Sequence, residues 1–185
     1  MSYLYSTIFN SKNMNIYYIH IDSPLGKLIV YATDKGLCQL SFEDSKSKER
    51  KTGSFLGISD SNLINEENAH LSLAKGELIE YFSGKRKEFT VPLDIIGTDF
   101  QKQVWDELLN IPYGETRSYM QQSLALGDSK KIRAVANANG KNKIAIIIPC
   151  HRVIGSDGSL TGFAGGLERK RWLLELESKQ KSLFS

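Results

Sequence analysis

Cysteine is scarce: this chain of 185 residues has two, Cys38 and Cys150, far apart in sequence. Two such thiols do not make the disulfide framework of a small secreted domain, and they form no CxxC pair. Histidine is almost as rare. His20, His70 and His151 are scattered, so the donor set for a structural zinc is missing. No apolar run reaches the ~20 residues that span a bilayer. The first residues lack the basic flank and apolar stretch of a secretory signal. The expectation is a reduced, soluble, cytoplasmic protein with no metal and no membrane contact.

Four prolines leave room for regular elements, and 41% hydrophobic residues can fill one large domain or two small ones. Net charge is +3 and unevenly spread. Residues 1–100 carry 11 Lys/Arg against 13 Asp/Glu, whereas residues 101–185 carry 13 against 8. A basic C-terminal half suits a polyanion such as nucleic acid, although an unevenly charged solvated surface gives the same counts.

Asn15 to Phe42 reads as three β-rich runs separated by Pro24-Leu25-Gly26 and Asp34-Lys35-Gly36. Cys38 sits in the third run between apolar neighbours and reads as a packing residue. Residues 43–68 are polar and without period, which predicts a long loop. "HLSLAKGELIEYF" places Leu71, Leu78, Ile79 and Phe82 at helical spacings, and Ser83-Gly84-Lys85 stops that helix. Thr98 with Gln101 has the form of a capping box. Phe100, Val104, Trp105, Leu108 and Leu109 then predict one helix face.

Two short helices follow, "SYMQQSLAL" to Gly127 and "SKKIRAVANAN" to Gly140, each with a serine at its start. The pair suggests a helix-turn-helix, and a plain helical hairpin in a core would look the same. Small side chains follow Arg133 in the second helix. They would let its backbone approach a groove closely with one long cation projecting, or pack tightly in a core.

"KIAIIIPC" reads as a buried strand that Pro149 ends, leaving Cys150 at a strand-to-turn junction. A thiol is a nucleophile as thiolate, and His151 and Arg152 could lower its pKa from the usual ~8.5. Adjacent residues on an extended chain face opposite ways, so Cys150 and His151 could meet only through a turn or a bridging water. In "LERKRWLLELES", Glu177 follows the apolar Leu173 and Leu174 at helical spacing, so it points at the core while Glu168, Glu175 and the basic residues face water. A core-facing carboxylate needs a partner, and His151 is the economical one. A solvated Glu177 at a frayed helix end is the alternative. "GSDGSLTGFAGG" holds five glycines in twelve residues and matches no phosphate-binding fingerprint, so no cofactor is expected.

"IPCHRVIG", "TGFAGGLERKRWLL" and "PYGETRSY", in this order-preserving set from about Gly97 to Ser178, resemble the O6-alkylguanine-DNA alkyltransferases. "DSPLGKLIVYATDKGLCQLSF" is similar to that family's N-terminal domain. The resemblance implies an α+β protein: a small N-terminal α/β domain over residues 1–92, with antiparallel strands and a helix. A mainly helical domain carrying the helix-turn-helix would follow over 97–185. It implies a monomeric DNA repair protein that flips O6-alkylguanine out of duplex DNA and takes the alkyl group irreversibly onto its own cysteine; O4-alkylthymine stays open as a further substrate. Flipping is required because a stacked O6 is out of reach for in-line attack.

By position, the resemblance makes Cys150 the acceptor, His151 a water-linked base, Glu177 the carboxylate behind it and Asn142 the brace of the turn. Tyr119 would protonate the leaving base. Arg133 would fill the gap in the stack from a helix in the minor groove, with Tyr119, Ser118, Gln101 and Ala134 also at the DNA. Cys150, Val153 and Ala164 would offer backbone groups to the base, and Phe163 would wall the pocket. Phe163 stands where tyrosine is frequent, Ala164 where some members have serine, and Leu176 where histidine often precedes the glutamate. Rival readings are a lesion-marking relative, which carries tryptophan in place of the cysteine, a cysteine hydrolase, and a bare DNA-binding domain.

Overall fold

The computed structural model describes residues 15–43 and 62–182, with side chains through Ser178. The three β-rich runs form β1 (Ile16–Ile21), β2 (Leu28–Ala32) and β3 (Leu37–Phe42), paired antiparallel with Tyr17 opposite Ala32 and Leu28 opposite Phe42. Most of the expected 43–68 loop lies outside the described residues. Its last part is not loop: Leu63–Ile64 forms β4, parallel to β1 at Ile16 and Tyr17, giving the order β3-β2-β1-β4. Two apolar residues carry too little period to be seen in sequence, and the open edge of β1 supplies the ladder.

Asn68 then caps α1 (Ala69–Phe82), its Oδ1 accepting from Leu71 N at 3.0 Å. The buried face is Leu71, Ala74, Leu78 and Tyr81, while Ile79 is 58% exposed. This corrects the expected face: Tyr81 is inside and Ile79 is not, because one residue's step turns a helix by about 100°. Glu77 is also buried and accepts from the backbone N–H of Thr90 and Val91 and from Arg86, which ties the connecting segment to α1.

Thr98 and Gln101 form the expected capping box of α2 (Asp99–Leu109). A Cβ on Gly97 would come within 2.5 Å of the Trp105 ring, so entry to this helix requires glycine. Val104, Trp105 and Leu108 are buried, whereas Leu109, expected on the same face, is 45% exposed. Ser118 and Gln121 make a second capping box for α3 (Tyr119–Ala125). The next helix, α4 (Ile132–Gly140), departs from expectation at both ends. Asp128, not Ser129, caps a 3-10 turn over Ser129–Lys131, and Gly140 stays helical with Lys141 as the cap.

The α3–α4 pair is locked by a buried exchange of amides. Asn139 Nδ2 donates to Gln122 Oε1 (2.7 Å), and Gln122 Nε2 donates to Asn139 Oδ1 and to Val104 O of α2. Trp105 Nε1 donates to Ala138 O at 2.9 Å. Among the small residues of α4, Ala138 is buried where α2 closes in, and Ala134 beside Arg133 is exposed. The last helix, α5 (Leu167–Ser182), completes an α+β arrangement. One apolar cluster runs through both halves, joining Val30, Leu40 and Leu78 to Trp105, Ile148 and Leu173. Among the described residues no helix is long and apolar enough to cross a membrane.

Candidate active site

The segment before Cys150 is buried, as its composition demands, but it is not a strand. Leu40 N donates to Lys143 O and Ala145 N donates to Leu40 O, a single bridge to the edge of β3. The chain then coils, with Ile147 N bonded to Ala145 O and Ile146 at φ 72°. That left-handed conformation costs a β-branched residue about 1–3 kcal/mol. Asn142 does the work of an absent neighbour strand: Oδ1 accepts from Ile144 N (3.0 Å) and Nδ2 donates to Ile148 O (2.8 Å). An apolar run alone does not distinguish a strand from a coil braced this way.

Pro149 leads into a 3-10 turn over Cys150–Arg152, so Cys150 and His151 are not on opposite faces of an extended chain. Asn142 Nδ2 also donates to Cys150 Sγ at 3.2 Å. Burial raises the thiol's pKa above its ordinary value, opposed by that hydrogen bond and by the charge of Lys170. This corrects the expectation that His151 and Arg152 would lower it. The resting sulfur is a thiol and needs a base.

His151 is 0% exposed. Its Nε2 lies 3.0 Å from Glu177 Oε1, and its Nδ1 is buried with no hydrogen-bond partner among the described residues. Burial lowers the imidazole pKa more than Glu177 raises it, so the ring is neutral near pH 7. A neutral ring facing a carboxylate carries its proton on Nε2, which leaves the Nδ1 lone pair as the basic site. Glu177 is buried, not frayed. Burial would raise its pKa, but hydrogen bonds and charge from His151 and Arg152 outweigh that and hold it at about 2. Arg152 grips it with two bonds, Nε to Oε2 and Nη2 to Oε1, both 2.9 Å, and donates to Ile111 O. Gly114 N and the Tyr81 hydroxyl complete the set.

The walls come from three directions. Strand β5 (Arg117–Ser118) pairs parallel with β6 (Val153–Ile154), which sets Tyr119 at the start of α3 beside the cysteine turn. The Tyr119 hydroxyl donates to Thr161 O (3.3 Å), and burial raises its pKa, so it keeps its proton. Phe163 meets His151 edge to face at 6.4 Å and Phe42 of β3 at 6.3 Å. Val153 is buried and Ala164 exposed. Lys170, expected in water, is 0% exposed and donates to Val153 O, Thr161 O and Gly162 O.

The site residues named from sequence thus fall into two groups. Cys150, His151, Glu177, Asn142, Tyr119, Val153 and Phe163 converge on one buried turn. Arg133 and Ala134 are exposed on α4 and Ala164 on the glycine-rich loop, while Ser118 and Gln101 are taken up in capping boxes, Ser118 as the cap of α3 and Gln101 as the partner of Thr98. Missed were Tyr81, Lys170 and the role of Arg152, whose charge goes to Glu177 instead of the thiol. The only sequence signal was the spacing of Lys170 and Tyr81 on their helices' apolar faces.

Among the described residues no group of three or more His, Cys, Asp or Glu could hold a metal ion. The family described as 6-O-methylguanine DNA methyltransferase matches twice: its ribonuclease-like domain over residues 16–95 and its DNA binding domain over residues 99–179. A methylated-DNA–protein-cysteine methyltransferase of Methanosarcina barkeri is 44% identical over 162 residues, 88% of this chain and 97% of that protein. A constitutive one of Bacillus subtilis is 41% identical over 170 residues, 87% and 94% of the two chains. The structure of Mycobacterium tuberculosis OGT in complex with DNA is 44% identical with a TM-score of 0.76, covering 89% of this chain and 94% of that one.

Proposed function

The chain belongs to the 6-O-methylguanine DNA methyltransferase family and is a DNA-binding, DNA-repairing methylated-DNA–protein-cysteine methyltransferase, and we propose that it moves the alkyl group of O6-alkylguanine in duplex DNA onto Cys150. One observation carries the assignment of the acceptor. A buried cysteine sits in a turn with a neutral histidine whose Nε2 is engaged by Glu177 and whose Nδ1 is unengaged.

In this reading the flipped base enters beside Cys150, and Nδ1 of His151 takes the thiol proton through a water. The sulfur attacks the alkyl carbon, an S–C bond forms, and the C–O6 bond breaks with its electrons passing to the guanine. Tyr119, held protonated, gives the leaving base a proton, and solvent returns one from His151. The thioether formed is a poor leaving group, so each monomer acts once. Asn142 holds the sulfur, and the backbone of Val153 and Ala164 reads the base edge beside Phe163.

Duplex DNA carrying O6-methylguanine should add one methyl mass to the intact protein, on the Cys150 peptide alone, and Cys150→Ala should add none. An unmodified protein with the methyl still on the DNA would sink this reading. Arg133, exposed on α4 next to Ala134, has the reach to fill the stack after flipping. Arg133→Ala should slow repair of duplex by about tenfold or more while leaving reaction with free O6-benzylguanine within about twofold, since only the duplex must be unstacked. Equal losses on both, measured in single-turnover assays, would argue against a wedge.

A further inference from the structure

Among the described residues, five hydrogen bonds converge on the Glu177 carboxylate, and one comes from the other half of the chain. Tyr81, on α1, is 0% exposed, and its hydroxyl donates to Oε1 at 2.8 Å. Oε1 is the same oxygen that faces His151 Nε2 and accepts from Arg152 Nη2. Burial and the Glu177 charge push the phenol well above its ordinary pKa, so Tyr81 keeps its proton and donates it in the hydrogen bond to Glu177. Its ring is fixed by contacts with Phe82, Phe89 and Tyr113 at 5.3–6.1 Å. Packing alone would be served equally by phenylalanine.

We propose that Tyr81 is a positioning residue for alkyl transfer, its hydroxyl fixing the Glu177 carboxylate and weakening Oε1 as the acceptor for His151. This rests on the reading of His151 as the proton acceptor. Each donor on a carboxylate stabilises its charged form and lowers its basicity. A less basic Glu177 pulls less on the imidazole proton and favours the imidazolium less. The charged groups acting on His151 are Glu177 and Lys170 from α5 and Arg152 from its own turn. Tyr81 from α1 and Tyr113 ahead of β5 interact with Glu177. Of these, Glu177 alone raises the imidazole pKa, so a donor that tempers Glu177 helps keep His151 neutral. The N-terminal unit thereby sets the strength of a base it does not contain.

Tyr81→Phe keeps the ring and removes the donor. Nitrogen-15 NMR titration of His151 in the resting protein should show its midpoint raised by about half a pH unit or more. The acid limb of single-turnover transfer from O6-benzylguanine should move by the same amount, with the plateau changed less than about threefold. An unmoved midpoint and limb in a folded Tyr81→Phe protein would overturn the proposal. Should that variant not fold, 3-fluorotyrosine placed at position 81, a stronger donor, must shift both the opposite way; no shift overturns it equally. Absence of any transfer in the wild type would instead strike the reading of Cys150, and the NMR midpoint would still decide the role of Tyr81.

Discussion

Glu177→Gln should remove about 3–5 kcal/mol of stability at pH 7 and slow transfer to Cys150 by about a hundredfold or more. The substitution keeps the shape but replaces one accepting oxygen with a donating NH2 group. Arg152, 6% exposed, would then hold a buried charge without its counter-ion, and one of its two bonds would become donor against donor. His151 would lose the charge that stabilises its imidazolium as the thiol gives up its proton. The pH dependence identifies the cause. The carboxyl titrates at about 2 in the folded protein against 4.5 for an ordinary glutamate, a difference of about 3 kcal/mol. Because the folded value is the lower one, this stability is fully present above pH 4.5 and drains away as the pH falls toward 2. Denaturant titrations of both proteins at pH 7, 4 and 3 should show the gap shrinking at each step. A constant gap would mean that the lost hydrogen-bond acceptor, not the charge, makes Glu177 necessary.

What could be read from the sequence was whatever a local rule states. The β-rich runs of β1–β3, the capping box at Thr98, the serine cap at Ser118, and the apolar spacing that turns Glu177 inward each rest on a few neighbouring residues. The misreadings share a different cause. "KIAIIIPC" has the composition of a strand, but its partners are one distant residue of β3, its own carbonyls and the side chain of the preceding Asn142, and composition shows none of these. Ile79 and Leu109 are apolar residues one step off their helix faces, left exposed because burial of the others already fixes the rotation. Lys170 sits in "ERKR", where charge suggests solvent, yet its position three before Leu173 and seven before Glu177 puts it on the buried face. Tyr81 lies outside the face that Leu71, Leu78, Ile79 and Phe82 mark in the sequence. Its hydroxyl gains meaning only when α1 packs against α5, across almost a hundred residues of chain.

Lys170→Met should slow alkyl transfer by about a hundredfold while changing stability by no more than about 1–2 kcal/mol. The wholly buried ammonium donates to Val153 O at 2.5 Å, Thr161 O at 2.6 Å and Gly162 O at 3.2 Å. It thus holds the strand leaving the cysteine turn against the glycine-rich loop that carries Phe163 and Ala164. Methionine fills similar space but leaves those carbonyls without their donor, at a cost of about 1–3 kcal/mol. Against that stands the unfavourable burial of the charge, which pulls the lysine down from 10.5 to about 8 even though Cys150 acts the other way. A folded value below the unfolded one means the wild type gains stability between about pH 8 and 10.5, by up to about 3 kcal/mol, and the methionine variant should not. Near pH 7 the lost bonds and the relieved charge offset each other. Geometry has no such compensation, because a pocket wall misplaced by an ångström loses most of its effect on the reaction. As the pH passes about 8 the ammonium loses a donor, so the wild-type rate should fall there and the variant's low rate should stay flat. Single-turnover rates with O6-benzylguanine from pH 6 to 10, beside denaturant titrations, check both. A variant with the wild-type rate and the same alkaline fall would reduce Lys170 to a space-filler.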